Sequence, residues 1–315
     1  MADANPSRLG QANLSGDAKA LFLKVFAGET LTTFERRVIM KSLLRFRQIA
    51  NGKSAQFPAI YRAGSEYHTP GVEISGDAIP HNEVTIAVDA LAISHVFLDN
   101  LDEAMNHYEV RGEYARLLGE ALAYRWDRDQ SRNVIRAARS PALFTGDQGG
   151  QSVTDADGDT SGSSLADSII LGKQKLEEAD VPVEEDMVNV CLKPAQWYLL
   201  SQETTKVINR DVGGQADYAN GKLTLIGGVN VRKANAFPWG VDDSSNTDIP
   251  EAYRVDMSNT VGVVFTEAAA ATVQLLGMGL EEQYMVNRQG TLMVAKYAVG
   301  HGPLVPKCAV EIKTA

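Results

Sequence analysis

The sequence is poor in the residues and motifs from which common active sites are built. Its two cysteines, Cys191 and Cys308, lie far apart and form no CxxC pair, so neither a disulfide framework nor a zinc ribbon is indicated, which fits a reducing compartment. The five histidines form no HExxH pair or three-ligand cluster. No GxSxG elbow surrounds a serine, and no Walker-type phosphate loop occurs. We therefore expect no enzymatic site, no cofactor and no bound metal.

Long uncharged runs are also scarce. Segment 261–280 carries a single charge, Glu267, over the ~20 residues that a membrane helix needs. Its β-branched start favours a strand, and Gly277 and Gly279 are expected to interrupt the apolar run. The N-terminus has an early acid and proline and no apolar core after Arg8, which argues against a secretory signal peptide. We expect no membrane partner.

Charge is distributed unevenly along the 315 residues, which carry a net charge of -10. Segment 145–190 holds eleven acids against two lysines, whereas segment 34–62 holds seven cations against Glu35. A basic patch beside an acidic loop can bind nucleic acid, and it can equally dock onto the acidic surface of an identical neighbour. A solvated face is the third interpretation, and the sequence leaves all three open. The length allows one large domain or two to three smaller ones.

The first third of the chain changes character at Gly52. Apolar spacing predicts a helix over 17–25 and a second helical stretch over 31–50. From 52 to 91 the chain turns to Gly, Pro and short β-type runs, which predict a long two-stranded excursion from the main body. A hairpin of that length buries little by itself and is marginal in water. We therefore expect it to rest on another surface, such as a neighbouring subunit.

The most informative segment, 98–139, contains no proline and predicts one long helix, on the order of 60 Å if all of it is helical. Small residues interrupt the apolar face of this helix at its middle, which indicates that another backbone crosses closely there, although such a face is more often plain core. This face comprises Leu98, Leu101, Met105, Tyr108, Gly112, Ala115, Gly119, Leu122 and Trp126. A row of arginines on one face is expected to meet phosphate or carboxylate, and it comprises Arg125, Arg128, Arg132 and Arg136.

The second half of the chain mixes helices and strands without regular alternation, so the predicted fold class is α+β. The acid-rich segment Asp155–Asp159 has Thr160 at its sixth position and Ala166 at its twelfth, and so fails the calcium-loop pattern. A capping-box-like start at Ser164 with Asp167 predicts a helix to about Ala179. The other predicted elements are a short helix over 194–202, strands at 187–192, 261–265, 291–299 and 309–313, and two β-runs over 223–231 that turn at Gly227 and Gly228.

Four segments together resemble the major capsid proteins of T-seven-like short-tailed bacteriophages, the podophages. They are Ala20–Glu29 (ALFLKVFAGE), Gly52–Pro58 (GKSAQFP), Asp102–Arg111 (DEAMNHYEVR) and Ala295–Gly302 (AKYAVGHG). They occur in the family's order and span nearly the whole chain, and none is a generic structural motif. The resemblance is weak over 140–164 and 209–250.

The resemblance implies the Hong Kong 97 phage capsid fold. In that fold, residues 1–51 would form the N-terminal arm, 52–92 the extended loop, 93–185 with 286–315 the peripheral domain, and 186–285 the axial domain. Such proteins assemble as hexamers and pentamers into an icosahedral head around a scaffolding protein, with a portal protein at one vertex and, in some phages, decoration proteins. The head encloses double-stranded DNA without sequence-specific binding. The implied location is the virion capsid, after assembly in the host bacterial cytoplasm.

The residues expected at contacts between subunits are assigned by segment. They are Phe22 and Phe26 in the arm, Lys53, Gln56, Phe57 and Tyr61 in the extended loop, and Arg125, Arg128, Arg132 and Arg136 on the long helix. Each aromatic is equally compatible with the core of its own subunit. A cellular nanocompartment shell of the same fold and an unrecognised enzyme are the alternative functions. Lys53 could also form a covalent cross-link between subunits, which is a weaker hypothesis.

Overall fold

The computed structural model describes residues 38–101 except 72 and 75, then 111–183, 187–203, 216–217, 222–223 and 225–315. The helix predicted over 17–25, with Phe22 and Phe26, lies outside these residues. The described chain divides into two compact units. The first comprises residues 89–126 and 275–299, and the second comprises residues 39–88, 127–274 and 300–315, each with the gaps given above.

Helices and strands alternate irregularly along the described chain, which confirms the α+β class. The helices are α1 (Arg111–Ala138), α2 (Gly162–Glu178) and α3 (Pro194–Gln202). The strands are β1 (Arg45–Gln48), β2 (Ser54–Ile60), β3 (His81–Ala87), β4 (Ala92–Asp99), β5 (Gln151–Thr154), β6 (Asn189–Leu192), β7 (Ala216–Asp217), β8 (Lys222–Leu223), β9 (Leu225–Ile226), β10 (Val229–Lys233), β11 (Thr260–Phe265), β12 (Ala270–Met285), β13 (Gly290–Pro303) and β14 (Ala309–Lys313). Short 3-10 turns lie at Met40–Ser42, Glu251–Tyr253, Glu267–Ala269, Val286–Arg288 and Pro306–Cys308.

The core of the second unit is a six-stranded sheet in the order β5-β14-β11-β6-β10-β9. Every residue of β6 and β11 is buried, because both are central strands whose side chains on either face meet other parts of the unit. Helix α2 packs closely on this sheet at Gly172, where an added Cβ would lie 3.0 Å from Val264 Cγ2. The short helix over 194–202 and the strand over 309–313 have the predicted bounds. The predicted turn at Gly227 and Gly228 is also confirmed, and both glycines have positive φ.

The core of the first unit lies between the start of α1 and the antiparallel pair β4–β13. The predicted apolar face is confirmed at Leu122 and Trp126, which pack with Leu118 against one face of β13. The Trp126 ring meets the Tyr297 ring edge-on, with centroids 5.4 Å apart. At Gly119 no described atom outside the helix's own backbone and sequence neighbours lies within 4 Å of an added Cβ. The predicted close crossing is therefore absent from the described chain at that position.

The long helix begins later than predicted. Leu98 and Asp99 end strand β4, where they pair with Thr291 and Gly290 of β13. Backbone pairing with β13 satisfies their peptide groups and overrides the apolar spacing that predicted a helix. Residues 100–101 are helical, and α1 is described from 111 to 138. The part of the prediction over 102–110 lies outside the described residues.

Two further predictions in the described chain are wrong. The described part of the helix predicted over 31–50, residues 38–50, contains strand β1 instead, because residues 45–48 pair in parallel with residues 271–274 of β12. Residues 31–37 of that prediction lie outside the described residues. Gly277 and Gly279 do not interrupt the next strand, since β12 continues to Met285. Adjacent pairing with β13 outweighs the weak strand propensity of glycine there. No helix among the described residues is long and apolar enough to cross a membrane.

The start of α2 also differs from the prediction. Ser161 is its N-cap, with Oγ accepting a hydrogen bond from the Ser164 amide at 3.3 Å. Asp155 Oδ2 accepts from the hydroxyls of Ser164 and Ser168, at 2.6 Å each. These hydrogen bonds lower the pKa of Asp155. The acid-rich segment thus supports the start of a helix, and the described residues contain no group of side chains able to hold a metal.

Candidate assembly surfaces

The extended loop, residues 52–92, contains an antiparallel hairpin that we call the stem, formed by β2 and β3. Its register runs from Ser54 opposite Ala87 to Ile60 opposite His81. The two-stranded excursion predicted from composition is therefore confirmed. Residues 61–80, which we call the tip, connect the two strands, and those of them that the structure describes belong to no strand.

The root of the stem packs into the second unit through a small apolar cluster. Ala55 and Ile86 form this cluster with Ala271, Val273 and Leu304. Two glycines of β13, both in the AKYAVGHG segment at 295–302, allow the stem to approach this strand closely. An added Cβ at Gly300 would lie 1.9 Å from the Ala87 carbonyl oxygen, and one at Gly302 would lie 2.9 Å from Ile86 Cγ1. Any larger residue at Gly300 would push the stem away.

The far end of the stem is held by a second set of contacts, to a loop after α1. We call residues 141–147 the cradle. Asn82 Nδ2 donates to the Leu143 carbonyl at 2.9 Å, and the Tyr61 hydroxyl donates to the Gly146 carbonyl at 3.2 Å. The Tyr61 and Phe144 rings lie with centroids 5.1 Å apart. Tyr61, assigned by sequence to a subunit contact, thus also has partners within its own chain.

An ion pair lies beside these contacts, between Arg62 and Asp180 at 2.8 Å. Hydrogen bonds that the Arg62 guanidinium donates to the Tyr61 hydroxyl oxygen and to the Asp180 carboxylate raise the pKa of Arg62. Asp180 follows the end of α2 with a φ of 56°, and its amide donates to the Glu177 carbonyl at 3.0 Å. The helix end therefore fixes the position of the carboxylate, while both side chains stay largely in water.

Large apolar side chains on the extended loop are exposed. Tyr67 is fully exposed, Ile74 is 71% exposed and Ile60 is 66% exposed. Ile79 is exposed as well. Exposed apolar groups concentrated on a thin hairpin are typical of surfaces used in protein–protein contacts.

The other predicted contact residues of the loop lie on the stem or next to it. Lys53 and Gln56 are exposed, and Phe57 is half-buried beneath the Arg47 guanidinium, whose centre lies 5.6 Å from the ring centroid. Arg47 also donates to the Gln56 carbonyl at 2.9 Å. Their assignment to subunit contacts stays a prediction.

The arginine row on α1 meets carboxylates inside its own chain. Arg132 is buried and binds Asp129 at 2.7 Å and Asp243 at 2.5 Å. Arg128 lies 3.6 Å from the same Asp243 carboxylate, which confirms the expectation that the row meets acids. Burial raises the pKa of Asp243, but the hydrogen bonds from Arg132 and Asn246 outweigh burial, so the pKa lies below its ordinary value.

The remaining members of the row have different surroundings. Arg136 donates to the Ala252 carbonyl and to Asn133, and burial lowers its pKa. Arg125 is exposed. Because Arg132 is sealed within the subunit, it holds the segment around Asp243 against α1. Whether any of the four also meets another subunit stays a prediction.

Sequence reasoning missed a buried carboxylate on α1 that holds the chain just before β1. Asp127 accepts hydrogen bonds from the amides of Ile39 and Met40, at 3.0 to 3.1 Å. Burial raises the pKa of Asp127 to about 6, although these two amides act against burial. The side chain caps the 3-10 turn at Met40–Ser42, and its place among charged residues of the helix gave no signal of that role.

A buried histidine was also missed. The Nδ1 atom of His301 lies 2.8 Å from Thr272 Oγ1, and Gln130 Nε2 donates to the same hydroxyl oxygen at 2.6 Å. The His301 amide donates to the Tyr253 hydroxyl at 2.8 Å. Burial lowers the pKa of His301 to about 3, so the ring is neutral at physiological pH. The arrangement is a packed polar cluster of the core.

Comparison with known proteins identifies the family of the chain. The family described as Gp10A-like major capsid protein matches residues 56–313. The major capsid protein of Escherichia phage T7 is 29% identical over 319 residues, covering 94% of this chain and 92% of that protein. The resemblance to podophage capsid proteins is therefore confirmed.

Solved structures give the same fold. The capsid structure of the cyanophage P-SCSP1u contains a chain that is 35% identical, with a TM-score of 0.82, covering 100% of this chain and 99% of that one. The mature capsid of bacteriophage PhiM1 is 17% identical, with a TM-score of 0.77 and coverage of 98% and 97%, and supports the fold alone. The predicted phage capsid fold is confirmed. Because the matched family is a structural one, the expectation of a non-enzymatic role is confirmed as well. This chain belongs to the Gp10A-like family of phage major capsid proteins.

Proposed function

We propose that the chain, as a capsid subunit of the virion, assembles into rings of six and five identical copies that close into an icosahedral head, and that each copy holds its neighbour through the tip of its extended loop. The observation that carries this proposal is the exposure of Tyr67, Ile74 and Ile79 on the tip, together with Ile60 at the adjoining end of the stem. A ring of copies brings one surface patch against a different patch of the next copy, as such a loop requires.

The energetics favour a covered tip. Burying one large apolar side chain contributes about 1.5–3 kcal/mol relative to leaving it in water. Four such side chains repeated around a ring supply a substantial driving force, reduced by the cost of ordering the loop. A two-stranded hairpin is at best marginally stable alone, so docking on a neighbour would also stabilise the stem.

The wider partners follow from the family. We infer that assembly takes place in the host bacterial cytoplasm around a scaffolding protein, with a portal protein at one vertex and decoration proteins as possible outer ligands. Packaged double-stranded DNA would meet the inner wall without sequence-specific binding, and the net charge of -10 would keep it from adhering. The division into arm (1–51), extended loop (52–92), peripheral domain (93–185 and 286–315) and axial domain (186–285) belongs to the same proposal.

The test replaces the apolar tip while keeping the fold. The variant Tyr67→Ser with Ile74→Asp is expressed with the scaffolding protein, and particles are counted by negative-stain electron microscopy. We expect closed shells from the parent chain and from Glu66→Gln, which changes one exposed charge on the same tip. We expect unassembled subunits from the double variant. Normal shells from that variant would refute the tip as the contact, and absence of shells from the parent would refute assembly itself.

A further inference from the structure

We propose that the contacts of Tyr61, Arg62 and Asn82 with the cradle and Asp180 form a latch that sets the angle of the extended loop in the free subunit. The inference rests on the proposed function, because the loop is set for a neighbouring copy. It makes Tyr61 and Asn82 positioning residues for assembly. The contacts join three separate parts of the second unit: the far end of the stem, the loop after α1, and the end of α2.

The stem acts as a lever between its root and the tip. The apolar root cluster holds the stem at Ala55 and Ile86, but the tip begins only after Ile60. A seven-residue strand is roughly 23 Å long, so a swing of about 10° at the root would displace the start of the tip by roughly 4 Å. A displacement of that size would abolish close packing on a neighbour. Contacts at the far end of the stem oppose such a swing most effectively.

The cradle is itself fixed, which a latch requires. Asp147 at its end pairs with Lys307 at 3.1 Å, and its amide donates to the Phe144 carbonyl at 3.2 Å. Both groups of the Asp147–Lys307 pair are largely shielded from water. Tyr61 and Asn82 therefore bind carbonyls of a loop that is anchored to the body of the unit.

The latch is also built to release. Its hydrogen bonds are neutral and solvent-exposed, and its ion pair lies in water, so each contact exchanges readily with solvent. The Tyr61 ring also packs near the Phe144 ring, which orients the Tyr61 hydroxyl while leaving its hydrogen bond accessible to water. Such contacts can align the loop before assembly and yield when a neighbour offers better ones.

The test measures the loop in the unassembled subunit, so it does not depend on the proposed assembly. Spin labels are placed at His68→Cys on the tip and Gln174→Cys on α2. Both native cysteines are buried, which favours labelling of the introduced ones. Electron-electron double resonance then gives the distribution of distances between the labels. We expect one narrow distribution for the parent and a broad one for Tyr61→Phe with Asn82→Ala.

Tyr67→Phe is the matched control, because it removes the same hydroxyl from a fully exposed tyrosine of the same loop. It should leave the distribution narrow. Exchanging the two charges of the Arg62–Asp180 pair is a second, independent test. Arg62→Asp alone should broaden the distance distribution. Adding Asp180→Arg to that variant should narrow the distribution again. Melting temperatures close to that of the parent would show that the broadening is not unfolding. Narrow, unshifted distributions in both the Tyr61/Asn82 and the Arg62 variants would overturn the latch, whatever their assembly.

Discussion

The six-stranded sheet and the extended-loop stem are both made of strands, yet they differ in how much of themselves they bury. All six residues of β11 are buried, whereas Ala55 is the one buried residue of β2. The central strands of the sheet are packed within their own subunit, because neighbouring strands flank them and α2 lies against β11. The stem stays polar or exposed along most of its length and ends in exposed apolar groups. The difference separates residues that stabilise the subunit from residues that join subunits.

Truncation in the sheet should give the largest loss of stability. Phe265 is fully buried at the end of β11, so Phe265→Ala removes its packing and leaves a cavity. We expect a loss of about 3–5 kcal/mol in the free energy of unfolding, measured by urea denaturation of the unassembled subunit. Leu171→Ala on the exposed side of α2 is the control and should change it little. Equal losses would contradict the assignment of the sheet as the core.

A single methyl group added at the root of the stem should lower both the stability of the subunit and its assembly. In Gly300→Ala the new Cβ collides with the Ala87 carbonyl, so the backbone of the stem has to move. We expect a loss of about 1–3 kcal/mol in unfolding free energy together with poor assembly. Gly279→Ala on β12 adds the same methyl group where no described atom lies within 4 Å, so the unfolding free energy and assembly should both stay near those of the parent. Normal assembly of Gly300→Ala would show that the root tolerates displacement.

The buried His301 makes the stability of the second unit sensitive to acid. Its pKa of about 3 in the folded chain lies below the ordinary 6.5, so the unfolded chain binds the extra proton as the pH falls below 6.5. The contribution of His301 to the free energy of unfolding is therefore full above pH 6.5 and declines toward pH 3, by roughly 2 kcal/mol between pH 7 and pH 5, while the raised pKa of Asp127 opposes part of this decline. Urea denaturation at several pH values would show a smaller loss of stability toward acid in His301→Asn than in the parent. The same substitution at the exposed His68 is the control for the replacement of a histidine.

Sequence patterns located the elements that depend on local signals. The stem, the bounds of α3 and the turn at Gly227 follow from proline, glycine and alternation close by in the chain. Strand β1 could not be found in this way, because its pairing partner lies more than two hundred residues away. The same holds for Asn82 and the cradle, whose contact spans 61 residues and involves a backbone carbonyl. Family resemblance supplied the function, but not these contacts.

The smallest effect on the subunit, and the sharpest contrast with the sheet, is expected at Ile74. Its side chain is 71% exposed, so Ile74→Ala should change the free energy of unfolding by no more than about 0.5 kcal/mol. If a neighbouring copy covers this side chain, the same change should weaken each contact by about 1–2 kcal/mol. Light scattering during assembly with the scaffolding protein would then show a higher threshold concentration of subunits. Leu171→Ala, also exposed but outside the extended loop, should leave that threshold unchanged. If Ile74→Ala and Leu171→Ala raised the threshold concentration equally, the exposure of a side chain would not identify a subunit contact. Nothing would then distinguish the tip from other exposed surfaces.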